Sequence, residues 1–234
     1  VIAIVAAAAF ASAEWHGRSS RVGFRPPPEL AQRPMASVGN AADAFLVWRG
    51  SGSNGRRLVL LTGQWGGPRR APATRPGTGD AGAARAALGS GAAGDPLDAG
   101  SALYWAARLG VVRGFDVVMP PASFERRVAE DADHKAFRAE DGAYRHDLHG
   151  FWLRFSLPRA FAPPAEPTLV LIEPSWFAAG APRDPLAWLS SVGVRTDLAL
   201  VALDDPAASD EDRRAAAAYA RAVKLPRLNV VRTR

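Results

Sequence analysis

The chain has 234 residues, is 48% hydrophobic and carries no cysteine. It can bury one good-sized core, and the lack of thiols excludes a disulfide framework, a thiolate zinc site and a lipidated cysteine. The formal charge of +6 comes almost wholly from arginine, with Lys135 and Lys224 the only lysines; the arginines are scattered (Arg18, Arg21, Arg25, Arg56, Arg57, Arg69, Arg70) rather than interleaved with aromatics, which argues against a specific nucleic-acid site.

The first thirteen residues, VIAIVAAAAFASA, form an apolar run ending in Ala11-Ser12-Ala13. That ending is the small-x-small pattern of a secretory cleavage site, so residues 1–13 are expected to be a signal peptide and the protein to be exported. An N-terminal strand or helix is the alternative, and the run is too short to span a membrane. Cleavage after Ala13 would leave Glu14-Trp15-His16, whose amine, amide nitrogens and imidazole could wrap a square-planar Cu(II) or Ni(II) ion. Residues 14–40 read as an extended lead-in stiffened by RPPPELAQRP, Arg25 to Pro34, and residues 41–234 as a single α/β domain.

Short apolar runs then alternate with helix-like segments, the pattern of βαβ units and a mostly parallel sheet. Strands are expected at Leu58–Thr62, Phe115–Met119, Leu169–Glu173, Leu198–Leu203 and Leu228–Arg232, with a further one at Phe151–Leu157. Asp98 can cap a helix over AGSALYWAARL that stops before Gly110, and Ser209 can cap one whose first turn holds Asp210, Glu211 and Asp212. Between the first two strands, residues 66–96 are rich in Gly, Ala, Pro and Arg with little apolar periodicity. They read as a flexible insertion, either a lid over a site or a disordered segment.

Four segments, AFLVWRGSGSNGRRLVLLTGQWGG, LDAGSALYWAARLGVVRGFDVVMPP, PTLVLIEPSWF and DLALVALDDPAASDEDRRAAAAYARAV, occur in an order that resembles the arginase (ureohydrolase)-like superfamily, in the uncharacterised branch that includes peptide arginases. The resemblance covers Ala44 to Val223. It implies a three-layer α/β/α sandwich with a mostly parallel sheet and two manganese ions at the carboxyl ends of the strands, where bridging would generate a hydroxide nucleophile. The family takes its ligands from an Asp-x-His-x-Asp motif and a later Asp-x-Asp motif. Laid on this chain, the ligand positions fall on Thr62, Gln64 and Gly66, and then on Glu173 and Ser175, so a single carboxylate survives. One carboxylate with hydroxyls and an amide cannot offset two divalent charges. What remains is a pocket that Trp65 and Trp176 would help to line for a small-molecule or peptide ligand, or a relaxed pocket floor.

A second cluster, HKAFRAEDGAYRHDLHG, holds His134, His146, Asp147 and His149. His146 and His149 would meet on one helix face and, with Asp147 or Asp141, could hold zinc or another transition metal. Trp105, Trp152, Trp176 and Trp188 read as core or rim. The leading expectation is a non-catalytic binding or structural protein, a pseudoenzyme of the ureohydrolase-like class without a cofactor. The alternatives are a manganese-dependent hydrolase of C–N bonds with a site rebuilt around Glu173 and the histidines, and a basic envelope protein that binds anionic polymer.

Overall fold

The computed structural model describes residues 34–65, 99–131, 138–140, 142–148, 151–177, 180–205 and 208–230. The expected leader, the expected insertion at 66–96 and the expected cap Asp98 lie outside the described residues. In chain order the elements are β1 (Met35–Val38), α1 (Ala41–Ser51), β2 (Arg56–Leu61), α2 (Ala99–Arg108), β3 (Val112–Val118), α3 (Pro121–Asp131), β4 (Arg138–Glu140), β5 (Ala143–Leu148), β6 (Phe151–Ser156), β7 (Thr168–Ile172), α4 (Pro185–Ser191), β8 (Thr196–Ala202) and α5 (Asp210–Ala222). Short 3-10 turns at Pro158–Ala160 and Pro174–Phe177 follow β6 and β7.

All eight strands belong to one sheet, in the order β1-β8-β7-β2-β3-β6-β5-β4. From β1 to β6 every pairing is parallel, and β5 and β4 add an antiparallel margin. The architecture is therefore α/β with a mostly parallel sheet. Four of the expected strands, β8, β7, β2 and β3, stand side by side, with Leu58 opposite both Phe115 and Leu169. Two expectations differ from the structure. Residues 35–38, read as part of the lead-in, form the edge strand β1, and the strand expected at Leu228–Arg232 is reduced among the described residues to one parallel bridge, Ser37 with Arg227.

Alternation along the central strands explains why they read as continuous apolar runs. Leu58, Leu60, Phe115, Val117, Leu169 and Leu171 pack on one face with α1, α2 and Phe124 of α3. Their sequence neighbours Val59, Leu61, Val170 and Ile172 pack on the other with Leu189 of α4 and Tyr219 of α5. Caps set the helix starts: the Asn40 carboxamide oxygen accepts from the Ala42 and Asp43 amides at 3.0 and 3.1 Å, and Ser209 and Asp212 cap each other reciprocally. Helix α2 gives way to β3 at Gly110, whose φ of 70° is a left-handed value that glycine adopts at little cost.

The faces covered by helices fix where a site can lie. From β2 the chain steps through α2 to β3 on the first face; from β7 it steps through α4 to β8 on the second. Crossovers of one hand that move in opposite directions must cover opposite faces. The carboxyl ends of β2 and β7, which are adjacent, thus open between diverging connections, the switch point of an open α/β sheet.

One ion pair is buried in this sheet. Asp116 of β3 receives Arg57 of β2 in a bidentate grip, Nε to Oδ2 at 2.9 Å and Nη2 to Oδ1 at 2.8 Å. Burial pushes the Asp116 carboxyl above its ordinary value, while Arg57 pulls it back. Removing the cation strands a buried acid. Arg57→Met should therefore lower stability by about 3 kcal/mol in urea denaturation at neutral pH; a loss under about 1 kcal/mol would place the pair among weak surface bridges.

Candidate functional site

Each residue at the switch point is put there by the end of a strand. Strand β2 stops at Leu61 and hands on to Thr62, whose amide still bonds to the Val118 carbonyl of β3 at 3.1 Å. Strand β7 stops at Ile172, and the Glu173 amide bonds back to the Leu61 carbonyl at 2.9 Å before Pro174–Phe177 turns away. Two segments more than a hundred residues apart in sequence are thereby brought into contact.

The contact is polar. Thr62 Oγ1 and Ser175 Oγ lie 3.1 Å apart, Ser175 Oγ accepts from the Gly63 amide at 3.1 Å, and Thr62 Oγ1 donates to the Gln64 carbonyl at 2.6 Å. Thr62, Ser175 and Glu173 are 0%, 2% and 6% exposed, so these groups form a closed floor. Gln64 is exposed at its margin. Gly63 makes the closure sterically possible: a Cβ there would come within 2.1 Å of the Ser175 carbonyl oxygen, a backbone atom that cannot swing aside.

Glu173 is the chemically unusual member. Its carboxyl is pushed up to about 8 from an ordinary 4.5, first by burial and then by the nearby charge of Asp205, against the lowering effect of a hydrogen bond with Thr62. At neutral pH it is mostly a neutral acid. Asp205, which follows β8, is the contributor missed in the sequence. The signal was present in LDDP, an acidic pair at the end of an apolar strand.

Thr62, Glu173 and Ser175 thus converge, with Gln64 beside them, while Gly66 lies outside the described residues. The two tryptophans do not face each other across a pocket. Trp65 packs on the first face, edge-on to Phe155 with centroids 5.4 Å apart, and Trp176 is buried on the second, 5.8 Å from Trp188. The diverging connections after β2 and β7 send them to opposite cores.

His146 and Asp147 are also placed otherwise than expected. They lie in β5, a strand opposite Leu153 and Trp152 of β6, so no helix face joins them to the position three residues on. The spacing of Tyr144 and Leu148 suits a helix as well as a strand, and pairing with β6 is what makes the segment a strand. His134, Asp141 and His149 lie outside the described residues. Four strand spacings, roughly 19 Å, separate β5 from β7, and His146 is toward the amino end of β6, away from Glu173. Among the described residues no group of three or more His, Asp or Glu is placed to hold a metal ion, and no helix is long and apolar enough to cross a membrane.

Comparison with known families, with curated proteins and with solved structures finds no match to this chain.

Two outcomes follow from the closed floor. Unfolding lets Glu173 ionise near 4.5 while the folded protein keeps its proton up to about 8, so its contribution to stability is complete below pH 4.5 and is lost as pH rises to 8. The loss approaches tenfold in the folding constant per pH unit. Glu173→Gln keeps the shape and the neutral charge, so its thermal stability relative to the parent should grow from pH 5 to about pH 8 and level off above that. A constant difference over that range would mean that the carboxyl ionises normally. Gly63→Ala should cost about 2–4 kcal/mol, read from chemical denaturation, because a backbone carbonyl must move to admit the methyl group.

Proposed function

We propose that this chain is an exported, non-catalytic binding protein on an arginase-like framework, with the former metal site converted into a hydrogen-bonded floor. The reading is supported chiefly by the mutual bonding of Thr62, Gly63 and Ser175 across the carboxyl ends of β2 and β7. At a binuclear centre, carboxylates and imidazoles turn their lone pairs toward the ions. Here two of the aligned positions spend their hydroxyls on each other and on neighbouring backbone, and the surviving carboxyl is neutral at physiological pH. That donor set does not fit two manganese ions.

Helices on both faces of a mostly parallel sheet agree with the three-layer α/β/α arrangement that the resemblance implies. Export rests on residues 1–13. The ligand class in keeping with the margin of the floor is a small molecule or peptide that pairs with the exposed Gln64 amide group. A hydrolase rebuilt around Glu173 and the histidines is disfavoured by the position of β5.

Metal titration is the direct test. Manganese added to metal-free protein should leave the melting temperature within about 1 °C, since only a ligand held more tightly by the folded form raises it, and no urea should be released from arginine or arginine-containing peptides. Replacing Thr62→Asp, Gln64→His, Gly66→Asp, Glu173→Asp and Ser175→Asp together should raise manganese affinity. Tight binding by the unaltered protein, abolished in Glu173→Ala, would overturn the proposal.

A further inference from the structure

Arginines that are scattered in the sequence are gathered by the topology. Short connections return each helix to the start of the next strand, so helix ends and strand starts share the amino-terminal edge of the sheet. Arg56 opens β2, Arg113 is the second residue of β3, and Arg195 immediately precedes β8. Pairing makes these starts level: Arg56 is opposite Val112, Arg57 opposite Thr168, and Thr168 opposite Thr196. Arg108 ends α2 on the first face, and Arg221 and Lys224 end α5 on the second. Of these six cations all but Arg56 are exposed. Four acids share this edge among the described residues: Asp197 against Arg56, Glu166 against Arg113, and Glu130 and Asp131 at the end of α3, so the cations still outnumber them.

The opposite edge is acidic. Asp184, Asp204, Asp205 and the first turn of α5, Asp210 to Asp212, lie at the carboxyl ends of the strands. Helix dipoles account for cations at the ends of α2 and α5. They do not account for Arg113 and Arg195, which begin strands, nor for Lys224, which lies beyond its helix. Lys224 is the only non-glycine residue with positive φ, 54°, among the described residues, a position where glycine or asparagine is the usual choice. A lysine held there in spite of its backbone conformation adds a charge to this edge.

We propose that the amino-terminal edge of the sheet is a docking face for an anionic phospholipid surface, with the Thr62–Ser175 crevice turned away from it. The shape of the cationic area selects the partner. It extends across four strands and from one helical layer to the other, roughly 15 by 20 Å, whereas a nucleic-acid strand presents its phosphates in one row. A bilayer surface presents them in two dimensions, and each basic residue near such a surface strengthens binding severalfold.

The test is sedimentation of the full chain with vesicles of phosphatidylglycerol and, separately, of phosphatidylcholine. The latter report whatever the remainder of the chain contributes. Binding should favour phosphatidylglycerol at low ionic strength and be lost in 0.5 M salt, where the screening length falls to roughly 4 Å. The variant Arg195→Gln, Arg221→Gln, Lys224→Gly should bind at least about tenfold more weakly. Its glycine relieves the backbone, so circular dichroism should show an intact fold. The control Arg126→Gln, Arg159→Gln, Arg183→Gln removes the same charge from exposed positions elsewhere and should bind as the parent does, within about twofold. Equal losses in both variants, equal binding to both lipids, or tighter binding to duplex DNA with the same residue dependence would each overturn the proposal.

Discussion

Parallel strands cannot be joined by a tight turn, so each must be brought to its neighbour by a crossover that covers a face of the sheet. In this chain the constraint acts most strongly where β2 meets β7. Those strands are adjacent in the sheet, yet the whole of α2, β3, α3 and the antiparallel margin intervenes in sequence. From their pairing the connection through α2 runs toward β3 on one face and the connection through α4 runs toward β8 on the other, while α1 covers β1, β8 and β7 on the first face. The two hydrophobic cores, the divergence of Trp65 and Trp176, and the position of the crevice all depend on that reversal.

The chemistry of the crevice follows from how closely the two strand ends approach. With glycine at position 63, the backbone after β2 comes against the Ser175 carbonyl with no room for a side-chain carbon. At that distance hydroxyl groups can satisfy one another and the adjacent amides, and they do so in full at Thr62 and Ser175. A carboxyl in the same dry setting is held in its neutral form, as Glu173 is. Closure and charge loss are therefore linked, and both favour a floor over an ion-binding centre.

Electrostatics adds a direction to the molecule. Helix ends and strand starts share one edge, and basic residues accumulate there while acidic ones cap α4 and α5 at the other. A long-range field of this kind orients a protein before any contact is made, which makes the docking face and the crevice two ends of one axis.

The sequence by itself determined the local elements whose signal is local. Near-continuous Leu/Val runs marked β2, β3, β7 and β8 as strands buried on both sides, Ser209 with its acidic turn marked the start of α5, and Gly110 the end of α2. Tertiary structure alone decided the rest. The edge strand β1 is held by pairing with β8, and nothing within MASV distinguishes it from the lead-in. His146 and Asp147 belong to a strand because β6 supplies the partner. The neutral state of Glu173 comes from burial, with a smaller push from Asp205, and the basic pole requires level strand starts, both products of long-range pairing that no short stretch of residues encodes.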